Sequence, residues 1–554
     1  MKARIAAIAC GLLCVLYAAL SWSAASGKSA TVDEPVHVVN AWMMRNGDFR
    51  QTPDVPALWE EWISLAIPRD AIHLDPNDPM LRTSRPFPNA WITRVLFKTR
   101  GTDGVDLVRR CRAIALVLSV AMGAIVARWG WRLGGPVAAI CGTTMWALDP
   151  NLLGHGALAN NDVAIAAAYG LLGYATWQTG LGLTWRRGAL FCAVAAVGPL
   201  IKLSGVAFIP VACLALLVRA ILSEPWPVLG QVLHRRTSRI LASASLCVAA
   251  SLATYVLIWA AYGFRFDAGP GGQLLDTQSL VHDFIRARGS PPDAAARLIV
   301  WMEQHHLMPQ AWIDGLLMLR TTAVGKLAYL CGQTYIGGKW DYFPLAFVFK
   351  EPLAMLAAVG LSLFVGMINF KRRISFAGIW AAASLGLPAA IYLLTAMSSN
   401  LNLGIRYLFP IYPYLFVAMG LAGAWLWRRF WWGKLVVPLL AITLATEVLA
   451  AYPDYIAFFN AECGERGGFA LLSDSNLDWG QDLPLLAQWE KANPDTLVYL
   501  AYFGTSDPAA YRHIEIPESK AFHNRGGTIF AVSATALQEQ DVDRDLVQTR
   551  APSD

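Results

Sequence analysis

Eleven long apolar runs, almost free of charge, constrain what this chain can fold into. They fall near 4–22, 107–127, 135–148, 161–182, 188–200, 203–219, 240–262, 345–369, 375–397, 406–427 and 434–452. A crossing of the hydrocarbon layer takes about 20 apolar helical residues. Runs of this length, without helical or strand periodicity in their polar positions, are the pattern of helices solvated by lipid. The composition agrees, with 15% of residues charged against about a quarter in a soluble domain. The 22 Trp and 17 Tyr suit the membrane–water boundary. The expected fold class is an all-α polytopic membrane protein with about eleven transmembrane helices, each run being one span. Residues 4–22 also fit a signal peptide ending near Ala24-Ala25, but the many later spans favour an uncleaved first helix.

The stretch 188–219 is too long for one span. Pro199 and Gly205 bracket Lys202 near its middle, so two helices meeting in a tight turn at Lys202 are expected. With the N-terminus in the cytoplasm, the cytoplasmic segments then carry Lys2, Arg4, Arg128, Arg132, Arg186, Arg187, Arg219, Arg235, Arg236, Arg239, Lys371, Arg372, Arg373, Arg428, Arg429 and Lys434. Their one acidic residue is Glu224. Such an excess is the positive-inside pattern, and a miscounted helix would have scrambled it. The net charge of +6 is therefore a topology signal, and no nucleic-acid partner is expected. The expected location is a bacterial inner membrane, with the N-terminus cytoplasmic and the C-terminus outside.

That topology divides the chain into a membrane domain, residues 1–452, and a C-terminal extracytoplasmic domain, residues 453–554. Outside lie a first loop 24–106, a short loop 149–161 and a second long loop 263–344. The tail after residue 452 is acidic. Strands at Thr496–Phe503 and Gly527–Ser533, with a helix at Leu483–Lys491, suggest a small α/β fold. The nine Cys have no C-x-x-C pairing. Cys10, Cys14, Cys192, Cys213 and Cys247 lie in apolar runs, where they are expected as small buried hydrophobes without disulfides.

The outer segments hold the chemically capable residues. Asp33-Glu34 stands just beyond the first helix, where an uncompensated carboxylate is costly. Thr31 or Asp33 could instead cap a helix starting near Pro35. Pro56–Ile67 reads as an amphipathic helix lying on the membrane plane. Asp149–Asp162 is dense in polar groups, among them His155 and Asp162, although Asp162 also suits the positive end of a helix dipole. Lys202, Lys350 and Arg406 are isolated cations at outer helix ends. Each could snorkel to water, and Lys350 could pair with Glu351; three at one depth suggest an anion site, with phosphate the obvious anion. In the tail, Asp474, Asn476, Asp478, Trp479 and Gln481 suit sugar binding, or equally a capped turn. His305-His306 lacks a partner at metal-ligand spacing.

In this order these segments resemble the polytopic glycosyltransferases that use lipid-phosphate sugars, above all the protein O-mannosyltransferase and aminoarabinose transferase superfamily with the GT-C fold, glycosyltransferase family 39-like. Asp33-Glu34 resembles that family's acidic pair, Asp149–Asp162 its "DP-x-x-x-x-H … D" segment, and Lys202 the Lys of its next hairpin. Gly338–Pro344 through Lys350-Glu351-Pro352 resembles "G-x-W-x-YFP … K-x-P", and Asn402–Pro413, with Arg406-Tyr407, resembles "GIRYLLPIYP". Asp474–Asp482 is similar to the "DSNLDWGQDL" run of a bacterial branch. Well-studied members carry other C-terminal modules, so the tail is where this chain departs from the family's pattern.

The resemblance implies an inverting transfer from a polyprenyl-phosphate sugar to an acceptor hydroxyl on protein, lipid or glycan. No cofactor is certain; a divalent metal is the open alternative. Asp33 would be the general base, with Glu34 tuning it by like-charge repulsion and Asp162 orienting a sugar. Lys202, Lys350 and Arg406 would meet the departing phosphate, and His155, Tyr407, Asp474, Asn476 and Asp478 would bind substrate. A transporter or lipid flippase is the rival reading. It predicts charges inside spans and repeat symmetry, and neither is evident.

Overall fold

A computed structural model describes residues 2–370, 375–464, 467–511 and 528–539. The chain is mostly helical. Helix α1 (Lys2–Ser26) is followed by α2 (Glu34–Arg45) and α3 (Ala57–Ser64) in the first loop, then by a long α4 (Gly104–Ala147) and a short α5 (Pro150–Gly156). Helices α6 (Asp162–Leu181), α7 (Trp185–Ile201), α8 (Phe208–Ile221) and α9 (Arg236–Ala261) continue the bundle. The second long loop contains α10 (Thr277–Arg288), α11 (Ala294–Gln304) and α12 (Gln310–Gly325). The bundle closes with α13 (Tyr342–Lys350), α14 (Leu353–Phe370), α15 (Phe376–Met397), α16 (Tyr412–Arg429) and α17 (Gly433–Ala451), and α18 (Leu483–Ala492) lies in the tail.

Every one of the eleven apolar runs is helical. Among the described residues, seven helices are long and apolar enough to cross a membrane. The smaller number has physical causes. The range α4 holds two helices, one for each of the runs 107–127 and 135–148: the chain folds back at Gly135 (φ 74°) just before Pro136, and a β-carbon on Gly123 would lie 2.4 Å from the Trp146 ring. Proline cannot donate to the preceding turn, and glycine accepts the positive φ. The run 345–369 is broken into α13 and α14 at Glu351-Pro352. Helices α7 and α14 are shorter than a full span.

The chain turns where Lys202 was expected to mark the break. Helix α7 stops at Ile201, Lys202 is extended (φ −150°, ψ 139°), and a 3-10 turn at Leu203–Ala207 leads into α8. A β-carbon on Gly205 would lie 2.2 Å from the Gly198 carbonyl, so only glycine permits so close a hairpin.

Outward faces are apolar in rows. Ile5, Ile8, Leu12 and Val15 on α1 are exposed, as are Leu435, Leu439, Ile442 and Leu449 on α17. Spacings of three, four and seven residues place each row on one helix face. Water disfavours such rows and lipid does not. Helix α16 is instead central, with Phe416, Val417 and Leu426 buried.

Helix α3 departs from expectation. Trp59, Glu60, Ile63 and Ile67 are almost fully buried, and the Trp62 indole donates to the Ile114 carbonyl. The amphipathic face packs on protein rather than lying on a membrane plane. Cys213 and Cys247 form a disulfide between α8 and α9, where separate buried thiols were expected. In the tail, strands Leu497–Ala501 and Thr528–Val532 pair in parallel. Of the sequence expectations, Lys371, Arg372, Arg373 and Gly527 lie outside the described residues.

Candidate functional site

Asp33 is the N-cap residue of α2, yet its side chain makes no capping bond. The capping reading of Asp33 therefore does not hold, and its carboxylate is free for another partner. That partner is Arg406, whose Nη1 donates to Asp33 Oδ2 at 2.9 Å. The same Nη1 donates to Asp162 Oδ2 at 2.9 Å. Lys202 Nζ reaches the other oxygen of Asp162 at 2.5 Å. Four residues distant in sequence thus form one chain: Asp33, Arg406, Asp162, Lys202. They come from the start of α2, the turn before α16, the start of α6 and the end of α7. Tyr407 flanks both cations, its ring 4.7 Å from Lys202 Nζ and 5.1 Å from Arg406 Cζ.

The chain has a closed and an open end. Asp162 and Arg406 are buried, whereas the Asp33 and Lys202 side chains are 35% and 22% exposed. The opposite end of α6 is where Arg219 donates to the Gly180 carbonyl. Arg239, nearby, donates to the carbonyls of Ser223 and Glu224. Arg219 and Arg239 thus sit about 30 Å from the Asp33 cluster, at 1.5 Å per residue of α6.

Glu34 has a different task from its neighbour. It is fully buried, and Arg112 of α4 bonds both of its oxygens at 2.7 and 2.6 Å. It also accepts from the backbone N–H groups of Thr31 and Ala159. Burial opposes its ionisation, but Arg112 and these donors outweigh that and hold its carboxyl below the usual range. Like-charge tuning of Asp33 by Glu34 is thereby corrected: Arg112 compensates the charge, and Glu34 fastens the Asp33 loop to α4. Arg112 escaped the sequence reading, because Arg109 and Arg110 beside it at the start of the run mask it as one of a basic cluster.

The tail is part of the site's wall. Val32 donates to the Trp479 carbonyl at 3.1 Å and Ser29 to that of Gln481 at 3.0 Å. The Trp479 ring lies 4.3 Å from Arg406 Cζ, close enough for a cation–π contact. Ser475 Oγ accepts from Arg406 Nε and donates to the Leu403 carbonyl. This approach needs Gly404, where φ is 146° and a β-carbon would lie 2.3 Å from Ser475 Oγ. Asn476 accepts from the Ile405 N–H and donates to the Tyr342 hydroxyl. Asp478 accepts from Ser533 and the Gly480 N–H, so Asp478 holds the tail's own fold while Asn476 ties the tail to Ile405 and Tyr342. Asp474 is buried with φ 55°. Burial lifts its carboxyl above the usual range, against the pull of Arg406.

His155 lies behind this wall. Its ring meets Phe409 and Trp479 at 5.3 and 5.7 Å. Burial, with Arg406 and Lys350 nearby, outweighs Asp162 and pushes its pKa down to about 3. It is a neutral ring supporting Trp479.

The structure does not bring Lys350 to the cluster. Its ammonium is buried and donates to the Ile456 and Asn476 carbonyls at 2.9 and 2.7 Å. Nor does it bond Glu351, which accepts from Tyr412 and Asn151. Among the described residues no three His, Cys, Asp or Glu side chains converge as metal ligands. The Asp33 and Asp162 oxygens named above are engaged by Arg406 and Lys202, so the donor set does not fit a metal and no step is routed through one.

No family model matches the sequence, and no curated protein matches it. Among solved structures, the chain is similar to ArnT from Cupriavidus metallidurans bound to undecaprenyl phosphate. The identity is 15%, the match covers 83% of this chain and 67% of that one, and the TM-score is 0.47. It is also similar to the Archaeoglobus fulgidus oligosaccharyltransferase in complex with Zn and sulfate, at 14% identity, 93% and 59% coverage and a TM-score of 0.42. A third is the archaeal oligosaccharyltransferase AglB from Archaeoglobus fulgidus with an inhibitory peptide and a dolichol-phosphate, at 12% identity, 86% and 64% coverage and a TM-score of 0.34. The chain spans about two thirds of the length of these proteins.

Proposed function

We propose that this protein is a membrane glycosyltransferase that moves a sugar from a polyprenyl-phosphate donor to an acceptor hydroxyl on the non-cytoplasmic side, with inversion. The observation that carries the reading is the Arg406 guanidinium bridging Asp33 and Asp162, with Asp33 at the open end. A cluster of two carboxylates and two cations supplies both needs of such a transfer, a proton acceptor and compensation for a leaving phosphate.

The chemistry follows from the partners. A donor phosphate entering beside Lys202 and Arg406 competes with the carboxylates for these cations. Once Arg406 turns to phosphate, Asp33 loses its ion-pair partner and its carboxylate is free to accept a proton. An Asp33 oxygen takes the acceptor O–H proton as the acceptor oxygen bonds the anomeric carbon. The anomeric C–O bond to phosphate breaks, and its electron pair stays on the phosphate oxygen. The two cations stabilise that charge where water is scarce. Asp33 then releases its proton, and Arg406 returns to it. Asp162 stays paired with Lys202 and Arg406 while Arg406 exchanges Asp33 for the phosphate. The substrates are a polyprenyl-phosphate sugar and a hydroxyl on protein, lipid or glycan.

Asp33→Asn keeps the shape and removes the base. It is expected to lower transfer of radiolabelled sugar by roughly 10²–10⁴-fold, with membrane insertion and yield unchanged. Wild-type transfer in that variant would refute the assignment.

A further inference from the structure

Helix α11 carries apolar side chains on two faces. The inner face is covered by protein. Ala296 and Ile299 are buried in one apolar core with Ile258 and Tyr262, at the end of α9, and with Leu200 and Leu203 beside Lys202. The other face is bare. Ala294, Leu298, Trp301 and His305 are all exposed, Leu298 by 54% and Trp301 by 49%. Spacings of four, three and four residues put them in one stripe. A helix apolar on both faces has something other than water on each.

The stripe runs into the lipid-facing surface of the bundle. After His305, the His306 ring stacks on Phe266 with centroids 3.7 Å apart, and the Gln310 N–H donates to the Phe266 carbonyl at 2.9 Å. Two residues before Phe266, Phe264 is 68% exposed, and its N–H donates to the Trp259 carbonyl in the last turn of α9. Along α9 itself Leu241, Val248, Leu252 and Val256 are exposed, at spacings of seven, four and four. This is the same kind of outward row as on α1 and α17. Phe264 and the α11 stripe continue it past the end of the helix. The edge of the stripe is basic: Arg297, beside Leu298, and Arg286 of α10 are exposed, whereas Arg288 and Arg320 are paired with Asp293. Trp and Leu on one face with Arg at its edge is the make-up of a helix at a lipid interface.

We propose that α11 lies in the interface of the leaflet on the Asp33 side, its Leu298–Trp301 face among the lipid chains and Arg297 beside the lipid phosphates. A protein partner on this face would have to share it with the bilayer that covers α9, and the continuity of the two surfaces therefore favours lipid. The seat has a consequence for the site. In the next helix, the Trp312 indole donates to the Pro199 carbonyl at 3.3 Å, and a β-carbon on Gly315 would lie 2.0 Å from the Pro53 carbonyl. Helix α12 is thus clamped on both the Lys202 hairpin and the first loop, and α11 sets its height against the lipid phosphates. The seat is independent of the sugar chemistry.

The test uses the full chain in the membranes of the cells that produce it. A benzophenone amino acid replaces Leu298, Trp301 or, as the lipid-facing reference, Leu252, and mass spectrometry identifies what each captures on illumination. Lipid adducts at 298 and 301, at yields comparable to that at 252, are expected. Capture of protein, whether a second copy or another chain, overturns the proposal, as does the absence of an adduct at 298 and 301 where 252 reacts. A second measurement joins Leu298→Glu to Trp301→Glu. Glu matches or exceeds both residues in helix propensity, and the exposed side chains leave no core to disturb. Amide hydrogen exchange across residues 294–304 in lipid nanodiscs is expected to rise in this variant, because two carboxylates are expelled from the interface. Exchange unchanged from wild type would place the face in water and overturn the proposal.

Discussion

Two buried charge clusters in this protein look alike in sequence and differ in structure. Each centres on a lone cation at a helix end, Arg406 in one and Lys350 in the other. Arg406 meets carboxylates, and the side chain of its partner Asp33 is 35% exposed. Lys350 meets two backbone carbonyls, and it, Glu351 and Asp149 are all buried. Under the proposed function the first cluster exchanges partners, an incoming anion reaching it by the exposed Asp33 edge. The second cannot, because carbonyls of Ile456 and Asn476 are fixed chain. Lys350 is a staple that ties the break between α13 and α14 to the tail. Cation type and membrane depth do not separate these roles; the nature of the acceptor and its exposure do.

The contrast breaks first at Arg406. Arg406→Lys keeps the charge but not the planar fork, and one ammonium in place of a guanidinium fits the two carboxylates and Ser475 poorly. The expected loss in kcat is roughly 10²–10³-fold, with the folded yield maintained. A variant with nearly full activity would mean that point charge alone suffices, and that the Asp33–Arg406–Asp162 geometry is incidental. Lys350→Met should act oppositely. It leaves two buried carbonyls without their donor, a cost of about 1–3 kcal/mol each at most. Thermal stability in detergent should fall, while kcat per folded molecule stays within about twofold of wild type. A large kcat loss in a stable Lys350→Met protein would erase the distinction between the clusters and return Lys350 to the phosphate.

Much of this was legible in the residues. The apolar runs anticipated the helices, and Pro199 and Gly205 marked the break at Lys202, a cut that the charge asymmetry of the loops supported. Asp33, Asp162, Lys202 and Arg406 were each recognisable as polar groups at helix ends. Their assembly was not, since nothing in the chain pattern tells Lys202 from Lys350. The acceptors that separate them are carbonyls of residues 456 and 476, about a hundred residues away in sequence. Glu34 and Asp33 are adjacent, yet the onset of α2 sends one to Arg112 and the other to Arg406. The burial of α3 was hidden for a related reason: an amphipathic pattern states that a face is covered, not whether lipid or protein covers it.

The tail offers the finest test of the comparison, because it touches both clusters. Asn476 places its carbonyl on Lys350, and Trp479 places its ring on Arg406. Trp479→Leu removes the cation–π contact but keeps an apolar side chain of useful size. The Val32–Trp479 link uses the main chain, so the clamp on the Asp33 loop survives the substitution. A buried contact of this kind is worth about 2 kcal/mol, less where water enters. The expected result is a fall in kcat of about tenfold or less, with little change in thermal stability. A loss of stability as large as that of Lys350→Met would show that Trp479 packs the tail rather than orienting Arg406. The two halves of the run 474–482 would then both be structural, and the exchangeable cluster would end at Ser475.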